Sequence, residues 1–119
     1  MTYYIGNFKQ DSAHHQGWFV GEFIEQKPRQ TRLFEIKYWH FAVGPTKRRN
    51  KTSTATECTL LLKGHVQGSI NGQPIELHAG EYAVIPPGMV NNLEEKVLQA
   101  AEGLTIKAPS NVHNKTIVP

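Results

Sequence analysis

The amino-acid sequence predicts an all-β protein, folded as a β-sandwich or a β-barrel. Roughly eight short runs rich in apolar, aromatic and β-branched residues follow one another, separated by turn residues. Two of these turns are strongly marked: the pair Asn71 and Gly72, and the corner formed by Pro86, Pro87 and Gly88. No long segment carries the period of an amphipathic helix. A chain of 119 residues suffices for one domain with a modest core.

The first two strands are expected between residues 17 and 43. Residues 1–16 show little periodicity and predict a flexible, solvated arm. Residues 17–24 are rich in aromatic and β-branched side chains, which predicts a strand. Residues 31–43 alternate in the manner of a longer strand that ends at Gly44. The alternation separates two faces of that strand, one with Leu33, Glu35, Lys37, Trp39 and Phe41 and the other with Phe34, Ile36, Tyr38 and His40.

The remaining strands are expected at residues 52–63, 65–70, 73–77, 81–85 and 103–107. The first of them is a bent strand or a strand pair that ends at Gly64. The next two flank the Asn-Gly pair, a hairpin signal because both residues tolerate positive φ. The fourth runs into the Pro-Pro-Gly corner, where proline fixes φ and glycine permits positive φ. Residues 93–101 are ambiguous, because their apolar residues have helical spacing and a short helical turn could interrupt the strands there. Residues 108–119 form a disordered or overlying tail.

The composition is that of an ordinary soluble protein, with 39% hydrophobic and 19% charged residues. No run of about 18 apolar residues is present, so we expect no membrane partner. The first residues lack the basic and apolar regions of a secretory signal. The single cysteine, Cys58, lies in an apolar run and has no internal disulfide partner. We therefore expect a buried, inert thiol and a cytoplasmic protein.

The net charge of +3 includes one short basic run, from Lys47 to Lys51, that contains Arg48 and Arg49. Such a run is either a solvated loop or a rim that collects anions at the mouth of a pocket. A nucleic-acid surface is not expected, because the run is short and no aromatic residues interleave with it.

The spacing between Gly44 and Glu95 resembles the two sequence motifs of the cupin superfamily. The first motif, G-x5-H-x-H-x4-E-x6-G, and the second, G-x5-P-x-G-x2-H-x3-N, cover about half of the chain. The conserved frame of both motifs is kept at Gly44, Glu57, Gly64, Gly80, Pro86 and Gly88. The three motif histidines are replaced by Asn50, Thr52 and Asn91, and the closing asparagine is replaced by Glu95.

This resemblance implies a small jelly-roll barrel spanning residues 1–119, with the motif residues in its lumen and an arm (1–16) and a tail (108–119) outside. It also implies a homodimer that pairs strands or sheet faces. Cupin metals are typically held by three imidazoles and one carboxylate, whereas amide and hydroxyl oxygens are poor ligands for these ions. We therefore expect neither a metal nor another cofactor.

Glu57 is the candidate catalytic residue, because a carboxylate in a half-buried pocket must be paired, hydrogen-bonded or protonated. It would act as a general acid and base or anchor a ligand. Alternatively, Asn50, Thr52 or a neighbouring Lys or Arg satisfies it structurally. The expected ligand-binding residues are Asn50, Thr52, Asn91, His40, Arg48 and Arg49.

The function expected first is binding of a small polar or anionic molecule in the lumen without a metal. One alternative is a metal-independent isomerase or lyase that uses Glu57. A second is a metalloenzyme whose ligands lie outside the motifs, with His40, His65, His78 and Glu57 as candidates. A third is a dimeric scaffold, which predicts an exposed apolar patch and a pocket filled by its own side chains.

Overall fold

Nine antiparallel strands form one curled sheet in the computed structural model, which describes residues 2–119. The prediction of an all-β barrel is confirmed. The strands are β1 Trp18–Val20, β2 Glu35–Phe41, β3 Gly44–Pro45, β4 Lys51–Ser53, β5 Thr56–Ile70, β6 Gln73–His78, β7 Tyr82–Ile85, β8 Asn91–Ala108 and β9 Lys115–Ile117. Helical structure consists of α1 (Phe8–Asp11) and a 3-10 turn (Ser12–His14). In residues 2–119 no helix has the length and apolarity needed to cross a membrane.

Two long strands, β5 and β8, pair with each other along most of their length and form the spine of the sheet. The prediction that a strand ends at Gly64 is wrong, because β5 continues through it with a shift of register. Gly64 has φ +92°, and a Cβ atom there would lie 2.3 Å from the carbonyl oxygen of Ala100. Glycine is therefore required for the close approach of the two strands, not for a turn.

The ambiguous segment 93–101 contains no helical turn, because all of its residues belong to β8. Leu93, Val97 and Ala101 are all buried, and Val97 lies opposite Val66 of β5. A spacing of four residues fits one turn of a helix, but it is also twice the period of a strand face. The apolar pattern alone therefore could not decide between the two.

The N-terminal quarter departs from the prediction in three places. β1 covers only three residues, because Gly21 (φ +154°) breaks the ladder and turns follow it. β2 begins at Glu35, later than predicted. The arm is not featureless, since the Asn7 side chain accepts hydrogen bonds from the backbone N–H groups of Lys9 and Gln10 and begins α1. Phe8 of α1 packs on the Tyr38 ring, with the centroids 5.2 Å apart.

The two marked turns lie where the sequence places them. Asn71 and Gly72 both have positive φ, 48° and 78°, and join β5 to β6 in a two-residue hairpin. Gly88 at the corner also has positive φ, and its N–H donates to the carbonyl of Ser53. The tail is not free, because β9 pairs with β4 and Asn114 beside it is buried.

The interior of the barrel has an apolar half and a polar half. The apolar half is filled by Trp39, Leu61, Val66, Leu77, Val97 and Ala101. At the boundary the Trp39 indole N–H donates to the Thr105 hydroxyl, which lies 3.1 Å from the Thr59 hydroxyl. As predicted, Glu57, Thr59 and Leu61 share the inward face of β5, each no more than 2% exposed.

Candidate functional site

Glu57 is the centre of the polar half of the barrel. Both of its carboxylate oxygens accept hydrogen bonds from the Lys51 ammonium, at 2.9 and 3.0 Å. The same ammonium donates to the Oδ1 atom of Asn91 at 3.0 Å, so its three protons are all used. The Lys107 ammonium lies 3.8 Å from Glu57 on the other side. These contacts agree with the alternative in which a nearby lysine satisfies the Glu57 carboxylate structurally.

The motif positions Asn50 and Thr52 do not contact Glu57, because the residue between them does. Side chains alternate along a strand, so the inward position of Lys51 turns its neighbours away. Asn50 is exposed, and Thr52 is half-buried and pairs with Thr116 of β9. The prediction that Asn50 lines the lumen is therefore wrong. Asn91 is buried as predicted, at 2% exposure.

A second buried network continues from Lys107. Its ammonium donates to the Oδ1 atom of Asn114 at 3.4 Å, and the Asn114 amide donates to the Glu35 carboxylate at 3.2 Å. The Ser110 hydroxyl also donates to Glu35, at 3.1 Å. Throughout residues 2–119, every fully enclosed polar side-chain atom has a hydrogen-bond partner. The enclosed polar groups are therefore satisfied by the protein's own donors and acceptors.

Three further cations lie at the open end of the polar half, and we call Lys37, Arg48 and Lys115 the cationic mouth. None of the three forms an ion pair with a carboxylate of residues 2–119. Burial, followed by the positive charges of Arg48 and Lys115, lowers the pKa of Lys37 to about 8. Partial burial, then Arg48 and Lys51, lower the pKa of Lys115. The three cations therefore repel one another, and burial adds to the cost of keeping the two lysines charged.

The cationic mouth forms part of the wall of a cavity of about 600 Å³ that is open to solvent. Aromatic side chains share this wall, and the Arg48 guanidinium lies 5.2 Å from the centroid of the Phe41 ring. A neighbouring cavity of about 440 Å³ is lined by Trp18, Lys107 and Lys115, among others. Trp18 links the two cavities, because the ammoniums of Lys37 and Lys107 lie 5.6 and 5.7 Å from its ring.

Counting charges around the polar half gives a positive excess. The cations are Lys37, Arg48, Lys51, Lys107 and Lys115, and the carboxylates are Glu35, Glu57 and Glu94. Five positive and three negative charges leave an excess of two. Burial lowers the pKa of Lys107 and raises that of Glu94, so both groups resist being charged. The surplus charge is best compensated by an anion from solution.

Glu94 is a functional candidate that the sequence analysis missed. It is 5% exposed, and its carboxyl group has no hydrogen bond or ion pair within residues 2–119. Burial raises its pKa, with opposing effects from the charges of Arg48 and Lys51. Because no enclosed polar atom lacks a partner, the carboxyl oxygens reach accessible space. It was missed because the sequence left its segment, 93–101, ambiguous between a helical turn and a strand, so no inward face could be assigned.

The other predicted site residues lie apart from Glu57. His40 is exposed, with its ring 5.8 Å from that of Tyr38, and it lies with Arg48 in the wall of the cavity of about 600 Å³. Arg49 is exposed, and Arg48 alone of the predicted arginines joins the cationic mouth. A metal site built from His40, His65 and Glu57 is contradicted. The cluster of potential ligands found within residues 2–119 joins His65 to Glu76 and His78 instead.

The donor set at Glu57 does not suit a divalent metal. The carboxylate already accepts two hydrogen bonds from one ammonium and lies near a second. Asn91 offers only an amide oxygen, a poor ligand for the transition metals that imidazole binds well. A metal ion would also have to displace Lys51 against the repulsion of Lys107.

The arrangement of strands is similar to that of solved double-stranded β-helix proteins, although no family model and no curated protein matches the sequence. An uncharacterised protein from Klebsiella pneumoniae with such a domain superimposes with a TM-score of 0.65 and 19% identity, covering 75% of this chain and 77% of that chain. Identity at this level indicates a shared fold and nothing more.

Two neighbours of named function or ligand are more distant in sequence. A variant of PAC13 from Streptomyces, solved with uridine, has a TM-score of 0.61 and 12% identity, with 74% of this chain and 70% of that chain covered. A variant of oxalate decarboxylase from B. subtilis has a TM-score of 0.64 and 12% identity over 73% of this chain. The match covers 24% of the decarboxylase, so it concerns one part of a longer protein.

Proposed function

We propose that this chain, which has the double-stranded β-helix fold of the cupins, binds a small organic anion at the cationic mouth of its barrel. The observation that carries the proposal is the set of three cations without carboxylate partners on the wall of a cavity of about 600 Å³. Desolvated ammonium and guanidinium groups without partners are costly, and an anionic ligand removes that cost.

The proposed ligand carries a carboxylate or phosphate group and a flat or apolar part. Arg48 offers a planar fork of donors that matches either anion, while Lys37 and Lys115 supply point charges. The half-buried Phe41 ring, which shares this wall, provides surface for the rest of the molecule. Glu57 has no part in ligand contact, because Lys51 occupies both of its oxygens.

Thermal stabilisation by a ligand panel tests this proposal. The neighbours suggest two of its members, since PAC13 was solved with uridine and another is named for oxalate. Uridine should be compared with uridine monophosphate, and oxalate and citrate with a neutral sugar. We expect the anions to raise the melting temperature in a dose-dependent way and the neutral molecules to leave it unchanged.

Two variants separate the cationic mouth from nonspecific charge effects. Arg48→Gln should weaken binding of the best anion at least tenfold, whereas Arg49→Gln, the adjacent and exposed arginine, should leave it unchanged. Intrinsic fluorescence provides a second readout, because the chain has two tryptophans and Trp18 lies beside Lys37. Equal losses in both variants, or no stabilisation by any anion, would overturn the proposal.

A second candidate function is metal-independent proton transfer, favoured by the environment of Glu94 rather than that of Glu57. A buried carboxyl group with a raised pKa and no partner can exchange a proton with a bound anion. Glu94→Gln should then abolish any turnover of a ligand found in the panel while its binding persists. Turnover that persists in this variant would remove Glu94 from the mechanism.

We also propose that the protein is a homodimer, which pairs through the outer face of the sheet. Two apolar rows cross β7, β5 and β8: Val84, Cys58 and Ile106 in one, and Tyr82, Leu60 and Leu104 in the other. Val84 and Tyr82 are 57% and 65% exposed. An exposed apolar sheet face can pair with the same face of a second copy.

Light scattering tests the dimer. The chain should elute at twice 13.4 kDa, and Val84→Asp should shift it to the monomer. A monomeric wild-type protein at 100 μM would refute this proposal without affecting the ligand proposal.

A further inference from the structure

We propose that the β5–β6 hairpin carries a binding site for a divalent transition metal, with Zn²⁺ as its test ion, on the outside of the barrel. His65, Glu76 and His78 form the site, and their nearest ligand atoms all lie within 4.8 Å of one another. This site is independent of the anion site and of the motif positions.

The register of the hairpin brings the three side chains together. His65 and His78 lie directly opposite each other in the ladder, and Glu76 lies opposite Gln67, two residues along β5. The intervening residues Val66 and Leu77 are buried in the apolar core. Because side chains alternate, this anchoring turns the two imidazoles and the carboxylate to the outer face.

The distances suit a metal ion after a small rearrangement. The Nε2 atom of His65 lies 3.0 Å from the Oε2 atom of Glu76, close to the donor–donor separation of about 3.3 Å expected around tetrahedral zinc. The two imidazole rings are stacked, with centroids 4.0 Å apart. Because the ligand atoms lie within 4.8 Å of one another, a shortening of at most about 1.5 Å brings them to the spacing expected around zinc.

Two neighbouring side chains hold the ligands in orientations suited to a metal. The Gln67 amide donates to the Oε1 atom of Glu76 at 2.8 Å, so Oε2, which is hydrogen-bonded to His65, is the oxygen that a metal ion would share with that imidazole. The Nδ1 atom of His78 lies 3.1 Å from the Glu81 carboxylate, which also accepts the backbone N–H of His78 at 2.7 Å. A carboxylate on one ring nitrogen of a histidine fixes the tautomer that presents the other nitrogen to a metal.

The donor set determines the class of metal. Two imidazoles and one carboxylate suit Zn²⁺, Ni²⁺ or Cu²⁺, whereas Mg²⁺ and Ca²⁺ prefer oxygen ligands alone. Three protein ligands leave a tetrahedral ion with one open position towards solvent. The exposed position of Glu76 and His78 allows the ion to enter without any movement of the barrel.

Titration calorimetry with zinc chloride on the full chain, without an affinity tag, tests the site. We expect one equivalent of Zn²⁺ to bind with a micromolar dissociation constant, and Mg²⁺ not to compete. His78→Ala and Glu76→Gln should each weaken binding at least tenfold, and Glu81→Gln by a smaller factor. The matched control is His113→Ala, an exposed histidine outside the cluster, which should bind as the wild type does.

Absorption of the Co²⁺-substituted protein provides a readout that does not depend on affinity. Bands of tetrahedral Co²⁺ should be present in the wild type and in His113→Ala and absent in His78→Ala. Far-ultraviolet circular dichroism verifies that each variant is folded, and His78→Gln replaces His78→Ala if that variant is not. Absence of binding at 1 mM Zn²⁺, or equal binding by His78 variants and wild type, would overturn the proposal.

Discussion

Replacement of Lys37 by methionine should stabilise the fold and at the same time weaken anion binding. The ammonium of Lys37 is partly buried and forms no ion pair with a carboxylate of residues 2–119. Methionine keeps the length and apolar surface of the side chain but removes the charge. Opposite effects on stability and on binding are expected only where a residue is retained for a ligand.

The magnitude follows from the pKa of Lys37, which falls from 10.5 to about 8. At full strength such a difference corresponds to about 3 kcal/mol of unfavourable charging at pH 7. Because part of the side chain remains in solvent, we expect about 1–2 kcal/mol of it to be realised. The variant also loses the contact between the ammonium and the Trp18 ring, which costs about 0.5 kcal/mol. The expected net stabilisation is therefore about 1 kcal/mol.

The pH dependence gives the effect a distinctive sign. The pKa of Lys37 is lower in the folded than in the unfolded protein, so between about pH 8 and pH 10.5 the unfolded chain binds more protons. This group therefore makes the protein more stable as pH rises through that window. The advantage of Lys37→Met should be present at pH 7 and lost by pH 10.5.

Urea denaturation at pH 7 and pH 10.5 measures the gain in stability and its dependence on pH. Lys63→Met, at an exposed lysine of β5, is the control. The control should change stability by less than about 0.5 kcal/mol at either pH. A Lys37→Met protein that is less stable than wild type at pH 7, or whose advantage does not depend on pH, would refute the electrostatic argument.

Three other substitutions test the interior of the barrel. Glu57→Gln leaves the ammoniums of Lys51 and Lys107 without their carboxylate, so we expect a loss of about 3–5 kcal/mol in urea denaturation. The pKa of Glu94 is raised in the folded protein, so the wild type should lose stability as pH rises above 4.5. Glu94→Gln should abolish this loss, which melting temperatures from pH 4 to 8 measure. Gly64→Ala places a Cβ atom 2.3 Å from a carbonyl oxygen at φ +92°, and should cost at least about 2 kcal/mol in the same urea assay.

The frame of the fold could be predicted from the sequence because turn residues act locally. Asn71, Gly72 and Gly88 have the positive φ values that these residue types tolerate best, and the strands begin and end around them. The lengths of β5 and β8 could not be predicted in the same way. Gly64 looks like a strand end in sequence, and only the close approach of the neighbouring strand explains why glycine is needed there.

The site could be predicted only in part, because its charges are paired over long distances in sequence. Glu57 is buried as expected, but its partner Lys51 lies at a position between the two motif residues. The motif spacing predicts that positions 50 and 52 face inward, but this holds only if β4 keeps the register expected from the motif. Here Lys51 faces inward instead. Lys107 and Glu94 belong to the other long strand, and nothing in their local sequence indicates that they face the same space.

The position of Lys51 explains why the ligand site is expected at the mouth rather than in the centre of the barrel. The Lys51 ammonium holds Glu57 and Asn91 together through three hydrogen bonds. Its positive charge compensates the buried carboxylate, as a bound metal cation would. Unlike a metal, it has no open coordination position for a substrate. The free positive charge lies instead on Lys37, Arg48 and Lys115, where the aromatic wall and the solvent meet. We therefore expect an anion to bind beside Glu94 and the cationic mouth, and not at the motif carboxylate Glu57.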